Sequence, residues 1–178
     1  MKLHIGSGER YLPGYKHLDI IKREHIDYAC DARDLSFLQD GCADEIYACH
    51  VLEHFKRGEV ESVLTEWNRI LRMPGGALRV CVPNFEAIMR EYTRSENLET
   101  LLGLLYGGQN NEFNFHFQAY DFKRLKMLLE KTGYIDVQEY DSREFLPPGY
   151  DDYSRAYLPH MDFEGGRPMS LNILAMKG

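Results

Sequence analysis

The chain has 178 residues, 44% of them hydrophobic and 28% charged, with a net charge of −7 at neutral pH. That length supports a single domain, residues 1–178, with a core of its own and no need of disulfide or metal staples. The acidic balance argues against a nucleic-acid surface, which wants a basic stripe. The four cysteines, Cys30, Cys42, Cys49 and Cys81, make no C-x-x-C pair and read as thiols of a reducing compartment. No apolar run has the length of a membrane span or the layout of a signal peptide, so a cytoplasmic protein with no membrane partner is expected.

In chain order, Leu3–Ile5 reads as a short strand that runs at once into the glycine loop Gly6-Ser7-Gly8. Lys16–Ile20 and Ile26–Cys30 read as the second and third strands, and Asp44–Cys49 as the fourth. "GEVESVLTEWNRILRM" carries Val60, Val63, Leu64, Trp67, Ile70 and Leu71 at helical spacing, and "MPGG" stops it. Ala77–Val82 is a fifth strand, and a helix is expected from Phe85. Ser95–Leu105 looks helical, and Gly107–Phe117 looks irregular. Asp121 reads as an N-cap, with Phe122, Leu125, Leu128 and Leu129 on one face and Gly133 as the stop. Tyr134–Tyr140 is a sixth strand, and Ser170–Met176 a seventh. Between them Asp141–Pro168 is polar, aromatic and rich in Pro and Gly, a length that suits a lid or binding loop.

Alternating strands and helices predict an α/β sheet, largely parallel, with helices on both faces. Ligands of such sheets bind at the carboxyl ends of the strands. The chemically loaded residues fall there: the glycine loop after the first strand, Asp19 at the end of the second, Asp31 after the third, His50 after the fourth. Glycines let backbone come close to a ligand. A carboxylate at the end of the next strand can accept two hydroxyl hydrogen bonds, as a ribose offers. The third glycine of a dinucleotide fingerprint is absent, and Glu9 would repel a phosphate, so a neutral or cationic nucleoside fits better than a nicotinamide dinucleotide.

"LHIGSGE", "HLDI", "DARDLSF", "DEIYACHVLEHF", "EWNRILRMPGGALRVCVPNF" and "LLEKTGYIDVQEYD" resemble, in order, the blocks of class I S-adenosylmethionine-dependent methyltransferases. The nearest likeness is to the small type 11-like bacterial group often associated with surface-polysaccharide genes. The resemblance implies a Rossmann-like, seven-stranded, mostly parallel sheet whose last strand is antiparallel. It also implies S-adenosylmethionine as cofactor, with S-adenosylhomocysteine as product. By position, Gly6, Ser7 and Gly8 would line the methionine and ribose side, Asp19 would hold the ribose hydroxyls, and Asp31 with Ala32 would meet the adenine. Cys49 and His50 would lie beside the methionine moiety. The pattern departs from the family at His4, where an acidic residue is usual, and in a first crossover too short for a helix. A homodimer could cover the sheet face left bare by that missing helix.

The resemblance implies a small polar acceptor, a sugar or surface-polysaccharide precursor, in a pocket built by inserts at about 95–120 and 141–168. The alternative is a non-catalytic cofactor-binding regulatory or assembly subunit. If His50, Glu53 and His54 begin a helix, they project from one face, and His116 can return to it. The reading preferred for these residues is a metal-free acid–base cluster with His50, His54 and His116 as the catalytic candidates. A histidine-rich metal site, favouring zinc over magnesium, is the other.

Overall fold

The computed structural model describes all 178 residues. Nine strands form: β1 Lys2–Ile5, β2 Lys16–Asp19, β3 Tyr28–Ala29, β4 Glu45–Cys49, β5 Ala77–Pro83, β6 Tyr134–Glu139, β7 Tyr157–Leu158, β8 Arg167–Pro168 and β9 Ser170–Lys177. The helices are α1 Val60–Ile70, α2 Phe85–Ser95, α3 Leu102–Tyr106, α4 Phe122–Lys131 and α5 Ser142–Phe145. Seven strands make one sheet in the order β3-β2-β1-β4-β5-β9-β6. Pairing is parallel from β3 to β5, and β9 runs antiparallel between β5 and β6. The expected Rossmann-like sheet is therefore present, antiparallel last strand included.

The alternation of side chains along each strand divides the sheet into two unlike faces. Leu3, Ile5, Leu18, Ile46, Ala48, Leu78, Val80, Val82, Leu171, Ile173 and Ala175 point one way and meet α1 and α4. The α1 stripe expected from its spacing, Val60, Val63, Leu64, Trp67 and Ile70, is buried there. Asp121 caps α4 by accepting from the Arg124 backbone N–H at 2.7 Å. The opposite face carries His4, His17, Tyr47, Cys49 and Cys81, all buried. No long helix covers it. Leu12, Tyr15, Tyr140, Phe145, Leu146 and Tyr150 pack over it instead.

Three expectations change in detail. The third strand shrinks from Ile26–Cys30 to two residues, because only the Leu18–Tyr28 and Asp19–Ala29 pairs are in register with the short β2. The helix expected over Ser95–Leu105 is split, since Glu96 takes a left-handed φ of 52° that ends α2. A 3-10 turn at Glu99–Leu101 then leads into α3. Asp141–Pro168 has no long apolar face, yet Ser142, Leu146, Asp152, Ser154, Arg155 and Ala156 are buried. Phe145, Leu146 and Tyr150 of this segment share the cover of the second face with Leu12 and Tyr15. No helix is long and apolar enough to cross a membrane.

Candidate active site

Two cavities, about 420 and 500 Å³, open at the carboxyl ends of β1, β2 and β4 and share Gly6, Gly8, His50, His54 and Asn114. The first is also lined by Asp19, Asp31, Ala32, Val51 and Phe55. The second takes in Ser7, Arg10, Cys49, His116, Tyr153 and His160.

The glycine loop folds over the end of β2. The Gly6 and Ser7 N–H groups donate to the Leu18 carbonyl at 2.8 and 3.3 Å. Gly8 N–H donates to Asp19 Oδ2 at 2.8 Å, and Ile21 N–H to Oδ1 at 2.8 Å. Arg23 Nη1 also donates to Oδ1 at 3.4 Å, so Asp19 holds the loop as well as facing the cavity, and Oδ2 keeps a lone pair for a further donor. The two glycines have different jobs. Both have positive φ, 66° and 58°. A Cβ on Gly6 would lie 2.3 Å from Val51 Cγ2, whereas one on Gly8 would meet nothing within 4 Å. Gly6 is needed by the fold, and Gly8 keeps the space beside the cavity clear. Ser7 is buried and its Oγ has no partner in the chain.

Asp31 lines the first cavity, but Arg33 holds its carboxylate through Nε at 2.9 Å and a terminal nitrogen at 2.6 Å. That guanidinium keeps the Asp31 pKa below its ordinary value. Arg33 also reaches Glu59 at 2.9 Å. Ala32 is buried, and its carbonyl accepts from Trp67 Nε1 at 2.9 Å, which joins the cavity floor to the core. Cys49 is buried, and burial pushes its thiol well above the ordinary range, so it is a neutral wall.

The segment "HVLEH" is not the expected helix. His50 adopts a left-handed φ of 53°, and Leu52–His54 is a single 3-10 turn. The turn still gathers the three side chains. His116 is brought to them because Phe117 N–H donates to the Glu53 carbonyl at 2.8 Å and Tyr120 OH to the Leu52 carbonyl at 3.3 Å.

The tautomers follow from the partners. Ser170 Oγ donates to the Tyr153 carbonyl at 2.5 Å, so at 2.8 Å it accepts from His50 Nε2–H. Burial pulls the His50 pKa down to about 3, so the ring is neutral and its Nδ1 is bare, 3.2 Å from Glu53 Oε1. Glu53 is fully buried, neither of its oxygens has a hydrogen-bond partner, and burial pushes its pKa up to about 8. His54 Nδ1–H donates to the Phe115 carbonyl at 3.0 Å and His116 Nδ1–H to the Leu104 carbonyl at 3.0 Å. Burial lowers both pKa values, His116 to about 4. The two rings lie edge to face, with centroids 4.8 Å apart.

Sequence reasoning missed three contributors, Ser170, Arg10 and Asn114, and read Tyr153 only as a residue of the late insert that could form an acceptor lid or a small aromatic cluster. Ser170 orients His50 from 120 residues away. The Tyr153 ring lies against the His50 ring at 5.3 Å, with the Arg10 guanidinium over it at 4.9 Å. Asn114 borders both cavities. All but Ser170 lie in or beside segments singled out as loops, and no local pattern marks any of them.

Residues 16–80 match the family model described as a methyltransferase domain. No curated protein matches the chain. Among solved structures, a SAM-dependent methyltransferase from Archaeoglobus fulgidus superposes with a TM-score of 0.60 at 17% identity, over 99% of this chain and 85% of that one. A Thermotoga maritima SAM-dependent methyltransferase, described as a possible histamine N-methyltransferase, gives 0.60 at 19% identity, over 99% and 82%. The Burkholderia thailandensis 1,6-didemethyltoxoflavin-N1-methyltransferase, solved with 1,6-didemethyltoxoflavin and S-adenosylhomocysteine, gives 0.55 at 14%, over 99% and 70%. The matched residues run from β2 into β5 and carry Asp19, Asp31 and the His50–His54 turn, and the chain shares its fold with these solved methyltransferases.

Proposed function

We propose that the protein is an S-adenosylmethionine-dependent methyltransferase that methylates a small polar acceptor held in the second cavity, with the nucleoside of its cofactor in the first. The observation that carries the reading is the junction of the two cavities at Gly6, Gly8, His50 and His54, which sets two ligands side by side. The residues fit the cofactor. Ser7 Oγ is a buried polar atom without a partner, and Gly8 leaves open space beside it. Asp19 Oδ2 has a lone pair to spare for a ribose hydroxyl. Asp31 and Ala32 border the adenine end, where the exocyclic amine would share the Asp31 carboxylate with Arg33. Cys49 and His50 flank the methionine end.

S-adenosylmethionine supplies an electrophilic methyl on a sulfonium. The chain's own task is alignment, since an in-line displacement gains most from holding the reacting atoms in place. A hydroxyl or amine acceptor also has a proton to lose. Both ring nitrogens of His50 are directed at Ser170 and Glu53, so His50 positions its neighbours. His54 and His116 each present a bare Nε2 and are the groups able to take that proton. The wall of the second cavity, with Arg10, Thr100, Asn110, Asn114 and His160 among its residues, suits an acceptor rich in hydroxyl or carboxylate groups. A sugar or a surface-polysaccharide precursor is such an acceptor.

The test is formation of S-adenosylhomocysteine when purified protein is given S-adenosylmethionine and a panel of nucleotide sugars and polyols. Replacing His116 by alanine is expected to lower turnover at least tenfold, about 1.4 kcal/mol in barrier, with little change in cofactor affinity. No turnover with any acceptor, alongside normal cofactor binding, would favour the non-catalytic subunit.

A further inference from the structure

The Glu53 carboxyl is fully buried and has no hydrogen-bond partner. An unpartnered buried carboxylate is costly, and such groups are paired or bind a metal. Two imidazoles stand over it. The donor atoms of Glu53, His54 and His116 all lie within 4.8 Å of one another, and His116 Nε2 is 3.9 Å from Glu53 Oε1. Both imidazoles fix their Nδ1–H on a backbone carbonyl, which leaves Nε2 as the nitrogen free to bind an ion. Metal-bound histidines are oriented in this way, one nitrogen tied to a carbonyl or carboxylate and the other on the ion.

We propose that Glu53, His54 and His116 form a binding site for a divalent transition metal, with its open positions toward the second cavity. Two imidazoles and one carboxylate suit zinc or a neighbouring transition metal, while magnesium prefers oxygen ligands throughout. His50 supplies the outer contact. With Glu53 ionised, His50 takes its other tautomer and donates Nδ1–H to Glu53, and Ser170 turns its hydroxyl to Nε2. The ion lies where His54 and His116 face the acceptor cavity, so its open positions take an oxygen of the acceptor. This rests on the proposed methyl transfer and narrows its substrate class to acceptors that offer an oxygen ligand. The imidazoles then serve as ligands, and the metal-bound hydroxyl is the acidic group: its proton leaves to solvent, its oxygen bonds to the methyl carbon, and the electron pair of the broken carbon–sulfur bond stays on sulfur.

The experiment is a cobalt(II) titration of untagged, chelator-treated protein, followed by visible absorption and calorimetry. The expected result is one equivalent bound with d–d bands, weakened at least tenfold in His54→Ala, His116→Ala and Glu53→Gln and kept in His160→Ala. Acetohydroxamate, a bidentate oxygen donor, is expected to shift the bands of the loaded protein. Glu53→Gln preserves the shape of the side chain, and circular dichroism checks that each variant is folded. Absence of one-to-one binding in the unaltered protein, or equal binding in all three variants, overturns the site. Bands indifferent to acetohydroxamate overturn its open positions. S-adenosylhomocysteine binding is measured on the same samples without metal, so failure of the methyl-transfer reading appears separately.

Discussion

The two faces of the sheet are built from the same strands and do different work. The helix-covered face belongs to an apolar cluster of 29 buried residues, with Trp67 as its largest fully buried side chain and α1 and α4 as its lid. The opposite face has an apolar cluster of only five, with His4, His17, Asp152 and Ser154 buried around it. Tyr47 OH donates to Asp152, and Asn172 donates to the Ser154 carbonyl at 3.0 Å, so this face is held to its cover by hydrogen bonds. One face supplies non-directional burial. The other supplies directed contacts, and these fix the segment that lines the second cavity. Stability and site geometry are therefore assigned to separate sides of the same strands.

The contrast breaks most severely at Trp67. Replacement by alanine removes a fully buried indole and frees the Ala32 carbonyl, and is expected to cost about 3–5 kcal/mol in a urea denaturation. No substitution on the five-residue side is expected to equal it.

The paired glycines sharpen the contrast next. Gly6→Ala is expected to destabilise the protein, since its new Cβ would press on Val51 of the large core. Gly8→Val is expected to leave the core packing intact, because the space beside Gly8 is open, and to cost stability only through the strain of a β-branched residue at a φ of 58°. It should still weaken S-adenosylhomocysteine at least tenfold, about 1.4 kcal/mol, by filling the ligand's space. Thermal melts and calorimetry on both variants separate the two effects. Equal stability of Gly6→Ala and the unaltered protein would remove Val51 as the constraint.

The smallest effect at neutral pH belongs to His4, on the five-residue side. Burial, reinforced by His17, pulls its pKa down to about 3 from an ordinary 6.5. Between those values the unfolded chain binds more protons than the folded one, so stability falls as pH drops from 6.5 toward 3. His4→Leu is expected to flatten part of that fall. Melting temperatures from pH 7.5 to 4 report it, with the variant's curve shallower. Parallel curves would show that His4 stays uncharged in the unfolded chain as well, or titrates in both states alike.

Much of this architecture could be read in the sequence where a local pattern carries it. The α1 stripe, the Asp121 cap, the Gly133 stop and the strand-end positions of Gly6, Asp19, Asp31 and His50 are each set by neighbours within a few residues. The five-residue face could not be read, because its cover comes from a polar segment whose buried members, Asp152, Ser154 and Arg155, have no apolar period. Nor could the His50–Ser170 contact, which depends on β9 entering the sheet beside β5. Asp31 was legible as a cavity residue, and in the structure it also holds a turn: its Oδ1 accepts from the Arg33 backbone N–H at 2.9 Å. The His50–His54 grouping was legible as a cluster, although its backbone is a 3-10 turn and not an α-helix.

The place of β9 has a consequence for how the chain is made. Residues 170–177 lie between β5 and β6, paired along both edges. Until that strand arrives, β5 has a free edge and β6 has no partner in the sheet. During synthesis the strands made before it must wait with a slot in the middle of their sheet, and an open edge of this kind invites pairing with another chain. Ser170, at the start of the same strand, then brings the hydroxyl that orients His50. Closing the slot and setting the histidine are thus a single event, so a nascent chain that has not closed its sheet has not yet assembled the junction between its two cavities.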